Sequence, residues 1–200
     1  MQKPGAMNTG CSFVLIHERM AKPTKMDKSK PTLPEENSVY HTEREMPEGQ
    51  RAEVSHLLNL RLSDTLDLRM QLQQAQWNLR GPEFVTLQML FETVDRDLGF
   101  YVDMLVERII QLGGTVEATV RVTASRTSIP EYLPPPTEKK DPIGAVSHAF
   151  ARFGDAARTS ILSAQGLGDC DSADLVRSIS RGVDRCLGLF ESQRGAEPNQ

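Results

Sequence analysis

The sequence predicts an all-α fold: a bundle of four long helices, with a long crossover carrying a short helix between the second and third. Three observations lead there. Apolar residues recur every three or four positions over several long windows, the period of helices with one buried face. Glycine and proline close those windows where helices stop. No set of alternating strand-like runs is present, and no glycine-rich phosphate loop. Two hundred residues suffice for one compact core plus tails.

Residues 1–50 are rich in Pro, Lys, Ser, Thr and Glu without a sustained period. They read as a mobile arm with some order near Val39-Tyr40. From about Ala52 the first helix carries Val54, Leu57, Leu58, Leu62, Leu66 and Met70 at helical spacing and ends at Gly81-Pro82. The second starts near Glu83, repeats through Leu87, Leu90, Val94, Leu98, Tyr101, Leu105, Ile109 and Leu112, and stops at Gly113-Gly114. Each spans roughly 28 residues, or ~42 Å, a length that suits a bundle.

The crossover opens with brief β-branched alternation at Val116, Val120 and Val122. Pro130, Pro134, Pro135 and Pro136 make the rest turn-rich, with a short helix expected near Arg126–Tyr132. The third long helix starts at Pro142, a residue favoured at the first helical position. It runs through Val146, Phe150, Phe153, Ala157 and Ile161 to Gly166. The fourth opens near Asp169–Ser172, which supply capping groups, and passes Leu175, Ile179, Val183 and Leu187 to about Glu191. The bundle thus occupies 51–193, with 194–200 as a tail. Four long helices with one long connection between the second and third is the ferritin-like topology.

Composition narrows the function classes. The net charge is −4, so the chain as a whole does not advertise nucleic-acid binding. Residues 1–34 are the exception, with Lys3, Arg19, Lys22, Lys25, Lys28 and Lys30 against only Glu18 and Asp27. Cys11, Cys170 and Cys186 are far apart and odd in number, which points to reduced thiols and a cytoplasmic setting. No stretch approaches the ~18 apolar residues of a membrane span, so no membrane partner is expected.

The polar residues of the second helix form a pattern. Gln88 and Glu92 are four apart, as are Asp103 and Glu107, and all four fall within an arc of about 100°. Glu92 and Asp103 are ~16 Å apart along one helix axis, too far to share a metal ion. Both pairs are symmetric about the point between residues 97 and 98, however. Two antiparallel copies crossing there would set Gln88 against Glu107 of the mate and Glu92 against Asp103, with Gly99 offering room for close backbone approach. The alternative is a solvated acidic face. A bundle-core di-iron site fits poorly, since the chain offers only Glu53-x-x-His56 where two such pairs and two further glutamates are needed.

The runs "QQAQWNLRGPEFVTLQMLFE", "YVDMLVERIIQLGG", "RTSIPEY" and "DSADLVRSISRGVDRCLGLFES" resemble the Dps family, the DNA-protecting miniferritins of starved bacteria. The resemblance covers roughly residues 50–193, in order and with matching spacing. It implies a homododecamer that oxidises Fe(II) at sites shared across two-fold interfaces, typically with hydrogen peroxide, and stores ferric mineral inside.

Carried onto this sequence, the family's metal ligands fall at Gln76, Gln88, Glu92, Asp103 and Glu107. The three carboxylates would be the catalytic groups. Both family histidines are glutamine here, and Glu92 is one methylene longer than the usual aspartate. His17, His41, His56 and His148 lie elsewhere. A hard, negative site remains, able to draw iron or another divalent cation but without imidazole. Weakened oxidation, a vestigial site in a non-catalytic shell, and a site retuned to manganese or zinc stay open.

Trp77 keeps the family's tryptophan beside the site, either to intercept oxidising by-products or as core packing. Asp169, Asp171 and Asp174 stand where the family lines a three-fold pore with acids, and would also serve as helix-capping groups. The lysine-bearing arm resembles tails that hold DNA phosphates without reading sequence; a solvated tail is the other reading. A nucleoid-associated location would follow from DNA binding.

Overall fold

The computed structural model describes residues 39–42, 45–81, 84–132 and 142–194, all within one unit, Glu35–Gln200. The arm residues before Val39 and the tail after Arg194 lie outside the described residues. The elements are α1 (Glu48–Trp77), α2 (Phe84–Gln111), α3 (Val120–Arg126), α4 (Pro142–Gly166) and α5 (Cys170–Arg194). Among the described residues no strand occurs. The long helices α1 and α5 each pack against both α2 and α4, while the short α3 lies on α1.

The core follows the helical period, with one correction. Val54, Leu58 and Leu62 are buried, but Met70 is 56% exposed and the core resumes at Leu68, Leu72 and Ala75. Steps of four residues advance 40° each, so Met70 lies about 160° round the helix from Val54 and Leu68 only about 40°. Phe91 and Phe190, outside the expected stripes, meet at the centre. The ring of Phe190 packs edge-on to Phe91 at 5.2 Å and to Phe150 at 5.3 Å, joining α2, α4 and α5.

Polar residues buried along α1 hold the irregular chain. Arg51 Nη1 donates to the carbonyls of Tyr40 (3.0 Å) and Leu112 (2.9 Å). Asn59 donates to Thr115 O and accepts from Glu117 N. Asp64 accepts from the Ser128 amide at 2.6 Å, and Gln71 donates to Pro130 O at 2.8 Å. Irregular backbone that has no helical partner gains side-chain partners in this way.

The same ties correct the expected short helix. Thr119 caps it, its Oγ1 accepting from Val122 N at 3.4 Å, so it spans Val120–Arg126 instead of starting at Arg126. Residues 127–130 give their polar groups to Asp64, Asp67 and Gln71.

Helix ends show familiar chemistry. α1 stops at Trp77, before Gly81-Pro82, where Asn78 Nδ2 bonds Gln74 O at 2.8 Å. At the end of α2, Gly113 has φ +78, and the amides of Gly113 and Gly114 return to Ile110 O and Ile109 O, a Schellman ending. Gly168 (φ +80) closes α4 the same way, with its own amide on Gln165 O and that of Asp169 on Ala164 O.

Gly182 on α5 is a close-approach glycine. A Cβ there would collide with the Tyr101 hydroxyl of α2. Gly182→Val should therefore destabilise the bundle by about 1–3 kcal/mol or more, seen as a lowered midpoint in thermal unfolding. A wild-type midpoint would show that Tyr101 can move aside.

Cys186 is buried on the same helix while Cys170 is exposed. Burial, reinforced by the Asp97 charge, pushes the Cys186 thiol up to about 11. In a Cys11→Ser background at pH 8, Cys170 should react with a disulfide reagent and Cys186 should stay silent until unfolding. The folded state holds this proton more tightly than the unfolded chain. Its contribution to stability is therefore complete below the ordinary thiol range and is lost as pH rises towards 11.

Candidate metal centre

The predicted stripe is real as a surface. Glu92, Asp103 and Glu107 are exposed on α2, and Gln88 is half-buried. Gln88 Nε2 donates to Glu92 Oε1 at 3.0 Å, so its amide pins a carboxylate. Gln111 Nε2 reaches Glu107 Oε1 at 3.5 Å. Gln76 is half-buried near the end of α1. Trp77, at 63% exposed, is not part of the subunit core.

Sequence reasoning missed an ion pair beside this stripe. Arg69 of α1 grips Asp95 of α2 through Nε (2.8 Å) and Nη2 (3.0 Å), and Gln73 Nε2 donates to the same Asp95 at 3.1 Å. The hydrogen bond to Asp95 raises the Arg69 pKa, and the charges of Asp95 and Asp103 add to the rise. The Arg69 guanidinium, its charge already matched by Asp95, stands within electrostatic reach of Asp103. A Cβ on Gly99 would lie 3.6 Å from the Arg69 guanidinium carbon, an ordinary contact, so the ion pair packs beside Gly99 without requiring a glycine there. The arginine-to-acid spacing across two helices left no local motif to find.

Among the described residues, no three His, Cys, Asp or Glu side chains gather closely enough within one chain to hold a metal ion. The acidic groups lie along the helix surface, and large exposed apolar side chains sit among them: Val85 (67%), Met89 (65%), Phe100 (63%) and Ile110 (60%). The antiparallel register read from the acids also sets Val85 opposite Ile110 of a second copy. Exposed apolar residues of this size on one face mark an interaction surface.

The three aspartates at the α5 start have different surroundings. Asp169 is 3% exposed. It accepts from Arg108 Nη2 at 2.7 Å and caps α5 through Ser172 N at 3.1 Å. Asp171 and Asp174 are exposed; Asp171 lies 3.7 Å from Arg108, and Asp174 pairs with Arg177. Lys3, Arg19, Lys22, Lys25, Lys28 and Lys30, together with His17, lie outside the described residues. His41 and His148 are exposed, and His56 is half-buried on α1. Among the described residues no helix is long and apolar enough to cross a membrane.

Comparison with known proteins agrees with the fold. A family model described as "Ferritin-like domain" matches residues 55–181. A "DNA protection during starvation protein" of Agrobacterium fabrum is 28% identical over 154 residues, covering 77% of this chain and 95% of the relative. Among solved structures, DpsC from Streptomyces coelicolor superposes with a TM-score of 0.75 at 21% identity, covering 84% of this chain and 99% of that one. A Dps protein from Vibrio cholerae O1 gives a TM-score of 0.64 at 20% identity over 72% and 91% of the two chains, and is described as a member of a broad superfamily of ferritin-like diiron-carboxylate proteins. Helix order, the single long crossover and these matches together make the chain a Dps-family member of the ferritin-like proteins.

Proposed function

We propose that this protein assembles into a homododecameric cage that gathers Fe(II) at acidic sites shared between paired subunits, oxidises it slowly and stores the ferric product. The carrying observation is the exposed acidic face of α2, whose spacing would set Glu92 against Asp103 and Glu107 against Gln88 of an antiparallel copy, flanked by exposed apolar side chains. Iron is the substrate here. Two Fe(II) ions would each give one electron to hydrogen peroxide. Its O–O bond breaks, and water and hydroxide then build ferric oxyhydroxide with release of protons.

This chain's contribution is to concentrate cations on hard oxygen donors and to hold Glu92 in place through Gln88. Asp171 and Asp174 give an acidic approach for cations at the α5 end. The names carried by the Agrobacterium and Vibrio relatives support DNA protection and diiron-carboxylate chemistry as the frame for this reading. Residues 1–34, with their excess of lysine, would hold DNA, and twelve copies would convert a weak arm into avidity.

A second reading draws on two observations: Gln88 spends its amide on Glu92, and Arg69 acts on Asp103. Both oppose cation binding and favour a protective shell, while the all-oxygen ligand set is what would suit manganese or zinc instead.

Peroxide-driven iron oxidation followed in the near ultraviolet separates the readings. A slow rate abolished by Glu92→Gln with Asp103→Asn supports the first. A rate equal to the buffer background, together with a calorimetric signal for manganese or zinc that the same double variant removes, supports the second. A gel shift lost on deleting residues 1–34 would assign DNA binding to the arm.

A further inference from the structure

A cleft of about 640 Å³ runs between α1 and α4, away from the α2 stripe, within the ~300–1,000 Å³ typical of small-molecule sites. Its walls are rich in carbon, from Leu57, Leu60, Ala156 and Leu167. Glu53 and His56, the pair that fits no di-iron arrangement, also line it.

Arg61 forms part of the same wall and is only 7% exposed. Its Nη2 bonds Asp64 Oδ2 at 3.0 Å, while Nε and Nη1 are buried with no hydrogen-bond partner. A buried donor without a partner is a standing cost to the fold that a ligand's acceptor would relieve. Burial pushes the Arg61 pKa down, with the Asp64 charge partly opposing this. Asp64 offers little more, since it already accepts from the Ser128 amide and hydroxyl. Turned towards the cleft from its buried position, a guanidinium with spare N–H groups beside an apolar space matches one ligand chemistry, a carboxylate carried on a hydrocarbon body.

The remaining charges limit that ligand. Arg152 lies 3.8 Å from Asp155 and is offset by it, and Glu53 adds a further negative charge to the lining. A dianion would meet repulsion that a monoanion largely escapes. We infer that the α1–α4 cleft is a binding site for a small apolar monocarboxylate taken from solution, with Arg61 as its anchor and Leu57, Leu60 and Leu167 holding its body.

Benzoate tests this in isothermal titration calorimetry on the full-length assembled protein. The expected result is saturable binding in the millimolar range or tighter, at least tenfold weaker for benzyl alcohol and for inorganic phosphate. Arg61→Met should weaken benzoate binding tenfold or more. Ala156→Phe, which fills the cleft and keeps Arg61, should do the same in a protein with unchanged helicity, and it decides the matter if the Arg61 variant does not fold. Absence of saturable binding to the wild type, wild-type affinity in Ala156→Phe, or phosphate binding as tightly as benzoate would each overturn the inference. Iron oxidation is not part of the readout, so failure of the α2 site leaves this test untouched.

Discussion

Arg108→Ala should be the most damaging single truncation in the bundle, lowering stability by about 3–5 kcal/mol. Arg108 is buried on α2 and reaches α5 through two charge-assisted contacts, Nη2 to Asp169 at 2.7 Å and Nε to Ser172 Oγ at 2.8 Å. Asp169 also caps the helix it opens. Removing the guanidinium leaves a buried carboxylate without its counter-charge and a hydroxyl without its donor. A loss of that size corresponds to a fall of roughly 10 °C or more in the unfolding midpoint for a chain of this length. Circular dichroism at fixed protein concentration measures it. Arg108→Lys should recover only part of the loss, since one ammonium cannot serve two acceptors set apart on a planar fork. A midpoint within a degree or two of wild type would mean that water replaces the guanidinium at no cost.

Gln76→His with Gln88→His should raise the rate of iron oxidation on the order of 10- to 100-fold, the size of effect that even outer-shell changes produce at metal sites. Imidazole is the better donor to Fe(II) than an amide oxygen. The Gln88 change also ends the hydrogen bond to Glu92 Oε1 and frees that oxygen for metal. Stopped-flow absorbance under peroxide measures the rate, and the Gln88 single variant should show part of the gain. If the double variant stays at background while it binds iron, the site has lost more than its imidazoles, and the second reading gains. The positive field of Arg69 on Asp103 would then be the next group to examine.

The bundle itself was legible because burial of an apolar face imposes the helical period directly on the sequence. The stripe of α2 from Leu87 to Leu112 is buried almost as written, apart from a half-buried Leu90. In α1 the repetition of Leu misled, because a run of four-residue steps wanders round the helix and carries Met70 to the outside. Phe91 and Phe190 escaped notice because a residue's place in the core depends on which helices face each other, and periodicity is blind to that.

At the candidate metal centre, the four stripe residues were readable from spacing alone, since one helix fixes their relative angles. Gln76 came only through the family resemblance. The Arg69–Asp95–Gln73 group joins α1 to α2 and has no signature in either segment.

The sequence by itself determined the four long helices, their order, the single long crossover and the symmetric spacing of the acidic stripe. These are local or periodic facts, set by backbone geometry and residue type. Only the tertiary structure decided which polar side chains were spent. Asp169 was committed to Arg108 and Asp95 to Arg69, while Arg61 was left with unpaired donors beside a cleft. The physical reason is that a polar group's partner is chosen by proximity across helices, which depends on how the helices pack and not on the residues beside it in the chain.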